Sequence, residues 1–516
     1  MNSKLALTID FGTQSLRVAL IDKKGNIVAM EKSVYEQPYF STQKGYAEQH
    51  ADYYWDRLVK TIKKLAKANK KILGNIIGAT VTTFRDTAVL LDSKNRPLRP
   101  CILWLDQRNA KVKEKLPFVH KLLFFIVGMT NTVLYNRQRT AAHWVKENEP
   151  EVWSKTKKYV NISTYITYKL SNTLIDSVSN FTGHYPICYR KKKWYKEGAL
   201  KGRIFGIPNR MLCPVKDAGE VLCTISDEFA NEVGLPTGIK IYASGSDKAC
   251  ETLGVGALDN TIAAISYGTA SSIEISNRKY HEPETFLPAY AAAVKGWYNM
   301  DVQIYRGYWM LNWFTKQFAS EEMNEAKILN MTTLEVLNSR LTDIPPGSDG
   351  LIVQPYWGPG LKRPLAKGAI VGFSDIHTRE HMYRAIIEGI AYALKEGMEG
   401  IERKQRRKIK EIRISGGGSQ SSVICQITAD IFGLPVSRIH TFESTSLGAA
   451  ISVFVYTKEF DSPEAAIKAM SHISETFNPN PVAHQQYEYL YKKAYLPLYP
   501  NLKEIYSDLK KFDKKY

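Results

Sequence analysis

Two runs rich in β-branched and aliphatic residues open the chain, one on each side of a short polar turn. The runs lie between Leu5 and Asp22, and the turn from Asp10 to Ser15 reads D-F-G-T-Q-S. This pattern predicts a β-hairpin with a glycine at its tip. A phosphate could approach such a tip closely, with hydroxyl donors beside it and Asp10 available to hold Mg²⁺ through water. An ordinary turn has the same composition.

A similar pattern returns from Ala263 to Ile275, which reads A-A-I-S-Y-G-T-A-S-S-I-E-I. Its turn, Y-G-T-A-S, matches F-G-T-Q-S of the first hairpin, and Ser266 stands at the place of Asp10. A repeated unit predicts two similar lobes. Because only the first copy has a carboxylate, we expect both tips to face one polyphosphate that a single metal site serves.

The next periodic segments predict a helix at 52–71, with an apolar stripe at helical spacing, and a buried strand at 76–83. This strand ends at Phe84-Arg85-Asp86-Thr87, and α/β folds place ligands at strand ends. Arg85 and Asp86 are therefore candidates for binding vicinal hydroxyls, since a guanidinium donates and a carboxylate accepts. The alternative is a surface pair.

A third strand end lies at Gly245-Ser246-Asp247, where a short helix follows. Asp247 is either the N-cap of this helix or a catalytic carboxylate. In either role, we expect the helix dipole to lower its pKa and make it a weak base. A weak base suffices for phosphoryl transfer, because the loose transition state requires an oriented nucleophile more than a deprotonated one.

Three glycines, Gly416 to Gly418, separate an alternating strand from a helix that Gly433 and Pro435 end. Bare backbone at a helix N-terminus predicts a nucleotide site. The motif is neither G-x-G-x-x-G nor a Walker loop, so neither a dinucleotide nor a Walker-type site is implied. From about Tyr456 onward, the pattern predicts peripheral helices.

Composition excludes several classes of protein. The length of 516 residues predicts two to four domains. The 70 basic against 51 acidic residues give a net charge of +19, but the lysines are dispersed and lack interleaved aromatics, which favours a solvated surface over nucleic-acid binding. None of the six cysteines has metal-site or redox spacing, and no segment reads as a secretory signal or a membrane span. We expect a cytoplasmic protein.

The motifs D-F-G-T-Q-S-L-R, W-L-D-Q-R (Trp104 to Arg108), G-S-D-K-A, Y-G-T and S-G-G-G-S-Q-S together resemble, in this order, those of the FGGY carbohydrate kinases. The resemblance implies an α/β fold with two ribonuclease-H-like lobes of the actin/hexokinase/Hsp70 ATPase superfamily around a central cleft. It implies an N-terminal lobe at 1–257, a C-terminal lobe at 258–455 and a helical extension at 456–516. A sugar or polyol would lie deep in the cleft, with ATP and Mg²⁺ above it.

By this resemblance, Asp247 is the base that orients the accepting hydroxyl, and it supports the metal together with Asp10. The candidate substrate-binding residues are Arg85, Asp86, Trp104, Tyr135, Asp247 and Lys248. The candidate ATP-binding residues are Thr13, Gln14, Ser15, Arg17, Gly268, Thr269, Gly307, Asn312, Gly417, Gly418 and Ser421.

Different motifs indicate different substrates. F-R-D-T is similar to Q-R-E-T of glycerol kinases, and Trp104 also matches the glycerol-kinase pocket. The segment W-L-D-Q-R, in contrast, looks like the corresponding segment of xylulokinases. Ser272 stands where glycerol kinases have Phe, which favours a wider pocket and an acceptor such as xylulose, ribulose or a pentitol. Glycerol is the alternative acceptor.

Two other classes share the fold, a non-enzymatic sugar sensor and an Hsp70-like ATPase. The first would need a helix-turn-helix and the second a β-rich peptide-binding domain, and the sequence indicates neither. The expected partner is a small sugar or polyol, without nucleic acid or membrane, and a homodimer is left open.

Overall fold

The computed structural model describes residues 4–284, 287–358, 360 and 363–515. The first half contains a sheet whose strands lie in the order β5-β6-β4-β1-β2-β3. Its strands are β1 (Leu5–Phe11), β2 (Ser15–Asp22), β3 (Ile27–Val34), β4 (Ile76–Thr83), β5 (Val221–Thr224) and β6 (Lys240–Tyr242). Strands β1 to β3 form an antiparallel meander, and β4 joins β1 in parallel, followed by β6.

The second half repeats this arrangement in a sheet of order β9-β10-β8-β7-β11-β12-β13. Its strands are β7 (Ile262–Tyr267), β8 (Ser271–Asn277), β9 (Tyr290–Ala291), β10 (Tyr298–Ile304), β11 (Glu411–Ser415), β12 (Val436–Ile439) and β13 (Ile473–Phe477). Strands β7, β8 and β10 form the meander, and β11 and β12 continue it in parallel. The two predicted ribonuclease-H-like lobes are therefore confirmed.

Five helices position the site. They are α1 (Ala51–Ala68), α2 (Asp247–Gly254), α3 (Arg379–Gln405), α4 (Ser422–Phe432) and α5 (Ser444–Tyr456). Helix α1 buries Tyr54, Leu58, Ile62 and Leu65 at helical spacing on the first sheet, as its periodicity predicts.

The remaining elements surround these sheets. The other α-helices are Phe118–Ile126, Thr130–Arg139, Ala141–Asn148, Pro150–Lys155, Ile162–Ser171, Asp227–Val233, Trp309–Phe318, Ser320–Leu329, Thr333–Ser339, Pro463–Met470, Pro481–Leu490 and Leu496–Lys515. Short strands are Glu48–Gln49, Ala88–Leu91, Cys101–Ile102, Lys158–Asn161, Asp176–Ser177, Ile187–Cys188, Lys193–Trp194, Val215–Lys216, Ile352–Gln354 and Ala369–Val371.

Helices α2 and α5 cross between the two lobes at very short range. A Cβ atom on Gly254 of α2 would lie 1.9 Å from the carbonyl oxygen of Ser444, and one on Gly448 of α5 would lie 1.8 Å from that of Cys250. Only glycine fits at this crossing. An apolar cluster with members from both sheets surrounds the crossing, which fixes Asp247 at the start of α2 between the lobes.

The end of the chain differs from the prediction of peripheral helices. Strand β13 pairs with β12 and extends the second sheet. Tyr487, Tyr491 and Tyr495 are buried in the core of the second lobe, because their four-residue spacing places their rings on one side of the helical segment. No helix in the described ranges is long and apolar enough to cross a membrane. The division at residues 257 and 455 stays a prediction.

Candidate active site

Two carboxylates lie close together between the lobes. Asp10 is near the end of β1 and is buried, and Asp247 is the first residue of α2 and is half-buried. Burial raises the pKa of Asp10 to about 7, opposed by the Arg17 cation and reinforced by the charge of Asp247. Arg17 faces Asp10 across the first hairpin, with Nη1 3.8 Å from Oδ2.

Asp247 does not have the lowered pKa that its helix position predicts. Ser246 is the N-cap, and Asp247 Oδ1 accepts the backbone N–H of Lys248 at 2.8 Å. Burial nevertheless raises the pKa of Asp247 and outweighs the nearby Lys248 and Arg85 cations. The prediction was wrong because desolvation exceeds the helix dipole here. A carboxylate with a raised pKa is the better proton acceptor.

This pair of carboxylates suits a divalent cation. Both have raised pKa values, so a cation beside them would relieve the cost of ionising them in a buried place. Among the described residues, no group of three or more His, Cys, Asp or Glu could hold a metal by itself. Mg²⁺ is typically held by one or two carboxylates together with substrate phosphates, and Asp10 with Asp247 fits this donor set.

A polar network joins α2 to the second hairpin. Lys248 Nζ lies 2.7 Å from Glu251 Oε2 and 2.5 Å from Ser266 Oγ. Ser266 and Ser415 donate to Glu251 Oε1 at 2.8 and 2.7 Å. Ser266, which has in the second hairpin the position that Asp10 has in the first, therefore links the two lobes through Glu251 and Lys248. Lys248, a candidate substrate contact, is engaged in this network.

A cavity of about 490 Å³ is lined by residues of both lobes. Of the six candidate substrate-binding residues, Asp86, Trp104 and Tyr135 line it, whereas Arg85, Asp247 and Lys248 do not. Ser272 does not line it either, and is buried in β8 opposite Ser266. The wider pocket expected from Ser272 therefore has no support from its position.

Arg85 and Asp86 point to different partners. Arg85 Nη1 forms an ion pair with Asp301 Oδ2 of the second lobe at 2.7 Å. Asp86 accepts the backbone N–H of His184 at 3.0 Å, and its Oδ2 lies 2.6 Å from Nδ1 of the same residue. Burial raises the pKa of Asp86, but the contacts with His184 lower it below the usual value overall. The prediction that Arg85 and Asp86 bind vicinal hydroxyls as a pair stays a prediction.

Sequence reasoning did not find His184, which lies 98 positions from Asp86. Asp86 has a left-handed backbone, with φ of +51°, a strained conformation that is frequent at functional sites. A Cβ atom on the neighbouring Gly183 would lie 2.6 Å from the Asp86 carboxyl carbon. The glycine beside His184 is the only local signal, and nothing in the sequence links it to Asp86.

The first hairpin tip is fixed by backbone and side-chain contacts. The Gly12 N–H donates to the Ser15 carbonyl at 3.0 Å, and Trp104 Nε1 donates to Thr13 Oγ1 at 3.2 Å. Arg17 Nε lies 2.5 Å from a carboxylate oxygen of Glu443, at the start of α5. Gln14 is exposed and Ser15 is buried. Trp104 thus connects the cavity with this tip.

The second tip is held by the start of the helix Trp309–Phe318. The Tyr308 and Trp309 N–H groups donate to the carbonyls of Gly268 and Thr269 at 3.1 and 3.2 Å. Gly307 is in close contact with this hairpin, since a Cβ atom there would lie 2.2 Å from Ser271 Oγ. Asn312 is exposed on the same helix.

The glycine turn before α4 combines an open position and a closed one. A Cβ atom on the exposed Gly417 would meet no atom closer than 4.0 Å, whereas one on the buried Gly418 would lie 2.5 Å from the Tyr308 ring. That ring stacks on Tyr267, with centroids 4.6 Å apart. Ser421 caps α4 by accepting the Ile424 N–H at 3.4 Å. The backbone at Gly417 is therefore free to face a ligand.

Comparisons with known proteins agree with this architecture. The N-terminal and C-terminal domain models of the FGGY family of carbohydrate kinases match residues 5–254 and 263–456. A xylulose kinase of Lactococcus lactis is 29% identical, over 98% of this chain and 99% of its own. A gluconokinase of Bacillus subtilis is 27% identical, over 97% and 95%. A ligand-bound xylulose kinase from Lactobacillus acidophilus superposes with a TM-score of 0.80, at 23% identity over 98% of this chain and 100% of that one.

Proposed function

The chain belongs to the FGGY family of carbohydrate kinases, and from that premise we propose that Asp247 is its catalytic base and that the two hairpin tips hold the triphosphate of ATP. As a member of this family, it transfers a phosphoryl group to an alcohol of a sugar. The observation that carries the proposal is the pair of Asp10 and Asp247, whose pKa values burial raises, together with a cavity whose wall residue Trp104 donates to Thr13 of the first tip.

The nucleotide is bound mainly by backbone. Thr13, Gln14, Ser15 and Arg17 of the first tip and Gly268 and Thr269 of the second bind the phosphates, supported by Gly307 and Asn312. The adenosine lies along the turn of Gly417, Gly418 and Ser421, where a Cβ atom on Gly417 would meet no described atom closer than 4.0 Å. A glycine turn at the start of a helix offers N–H donors without steric obstruction.

Asp10 and Asp247 would hold Mg²⁺, which would neutralise charge on the phosphates when bound. Asp247 accepts the proton of the attacking hydroxyl, and its raised pKa suits this role. Asp86 and Trp104 contact the sugar from the cavity wall, together with Tyr135. Arg85 acts indirectly, because its ion pair with Asp301 joins the lobes. Lobe closure excludes water and limits hydrolysis of ATP.

The acceptor is a small sugar or polyol. The sequence favours a ketopentose or pentitol over glycerol, and the xylulose kinase among the relatives supports a ketopentose. The gluconokinase among them adds a sugar acid to the choice. The cytoplasmic location and the homodimer considered from the sequence stay predictions.

The direct test measures ADP release at fixed ATP over pentuloses, hexuloses, pentitols, aldonates and glycerol, with and without Mg²⁺. We expect saturation by at least one acceptor at micromolar to millimolar concentration and no turnover after Mg²⁺ is chelated. Absence of turnover with every acceptor, while the protein is folded and binds ADP, would contradict the proposal.

A further inference from the structure

Two arginines face the cavity from opposite lobes. Arg139 ends the helix Thr130–Arg139 of the first lobe, and Arg306 follows β10 of the second, and both line the cavity half-buried. Arg139 Nη2 donates to the backbone carbonyl of Asp106 at 2.7 Å, and the guanidinium of Arg306 lies 5.0 Å from the Trp309 ring centroid. Within the described ranges, neither guanidinium has a carboxylate at ion-pair distance.

The cavity lining contains six acidic side chains, among them Glu284. Five of them form ion pairs: Asp86 with His184, Asp106 with Arg108, Asp301 with Arg85, Glu282 with Lys201, and Glu396 with Arg363. None of these five ion pairs uses the guanidinium of Arg139 or Arg306. The two cations also act on each other, since burial and the charge of Arg139 both lower the pKa of Arg306.

A carboxylate is the group that two such guanidiniums recognise best. It accepts paired N–H donors in one plane, and the charge-assisted hydrogen bonds are about twice as strong as neutral ones. We propose that Arg139 and Arg306 form a carboxylate-binding subsite and that the acceptor is a five- or six-carbon sugar acid. This inference rests on the proposed kinase function, with the carboxylate between the two arginines and the distal hydroxyl at Asp247.

The same pair disfavours neutral sugars. Closing the cleft on a neutral ketose or polyol brings two unpaired cations together while water leaves. A sugar acid removes that penalty because its single negative charge contacts both lobes. The subsite therefore couples recognition of the carboxylate to closure.

The test compares aldonates with the alditols and ketoses of the same chain length. Calorimetry measures binding without nucleotide, and ADP release measures turnover. In the wild type, we expect kcat/KM for the best aldonate to exceed that for its alditol by at least about tenfold. In Arg306→Met, we expect kcat/KM for the aldonate to fall about 30-fold, mainly through KM, and that for the alditol to change less than about threefold.

Two further variants are matched controls. Arg306→Lys keeps the charge but not the planar donor pair. We therefore expect its kcat/KM for the aldonate to lie between that of the wild type and that of Arg306→Met. Arg210→Met removes an exposed arginine that does not line the cavity, and we expect unchanged kinetics. Denaturant midpoints of all variants show whether each one folds.

The outcomes separate the subsite from the kinase function. Turnover of a neutral sugar with no binding or turnover of any aldonate would overturn the subsite and leave the kinase function standing. Equal losses for aldonate and alditol in Arg306→Met would also overturn it. Binding of an aldonate that depends on Arg306, without phosphorylation of any acceptor, would support the subsite and contradict the proposed kinase function.

Discussion

The two hairpins share a sequence pattern and a sheet position but differ in chemistry. In the first, Phe11 pairs with Leu16, so four residues form the tip, whereas in the second Tyr267 pairs with Ser271 and only three do. Asp10 faces Arg17 across the first hairpin, but Ser266 faces another serine across the second.

Because of this difference, the two lobes contribute different chemical groups to the site. The first hairpin and α2 bring two carboxylates with raised pKa values. The second hairpin offers backbone and hydroxyl groups, and Ser266 is bound to Glu251 and Lys248. A duplicated unit thus supplies charge on one side of the cleft and neutral contacts on the other. Variants that exchange or remove these features test this difference between the lobes.

Asp247→Asn removes the proposed base with little change of shape. We expect kcat to fall by about 10³-fold or more, while ADP affinity and the denaturation midpoint stay close to those of the wild type. Steady-state kinetics and calorimetry check this. An Asn variant with near wild-type kcat would refute the assignment of Asp247.

Ser266→Asp gives the second hairpin the carboxylate of the first. The new charge would lie beside the Glu251 carboxylate, which Ser266 contacts at 2.8 Å, and we expect the free energy of unfolding to drop by about 3 kcal/mol. Ser266→Ala is the control, with an expected loss of about 1 kcal/mol. If Ser266→Asp is as stable as Ser266→Ala, the hairpins are more interchangeable than we infer.

Asp10→Asn tests the pH dependence of the first hairpin. Because the pKa of Asp10 is raised from 3.8 to about 7, the folded state retains a proton that the unfolded state loses. The metal-free wild type should therefore lose stability between about pH 4 and 7, by on the order of 3 kcal/mol from this group. We expect a flatter profile for Asp10→Asn in urea denaturation from pH 4.5 to 8, and equal slopes would contradict the raised pKa.

Gly417→Val tests the neutral side of the cleft. Its side chain would project into open space, so we expect KM for ATP to rise about tenfold through steric exclusion, with kcat and stability little changed. Gly418→Ala is the contrasting variant, because its methyl would displace the Tyr308 ring and lower the denaturation midpoint. An unchanged KM in Gly417→Val would exclude adenosine from this turn.

Local pattern determined a large part of this protein. The hairpin motif of β1 and β2 and its repeat in β7 and β8 predicted two similar lobes. The stripe on α1 and the glycines before α4 were also readable. These features depend on side-chain period and backbone freedom, which neighbouring residues decide.

Only the tertiary structure decided the partners and the charge states. In the folded chain, Arg85 forms an ion pair with Asp301 and Asp86 contacts His184. Arg139 and Arg306, which are far apart in sequence, line the same cavity. The tertiary structure also reversed the pKa shift expected for Asp247. Burial and long-range contacts depend on which distant segments meet, and desolvation of a charge grows with everything packed around it. No local pattern carries that information.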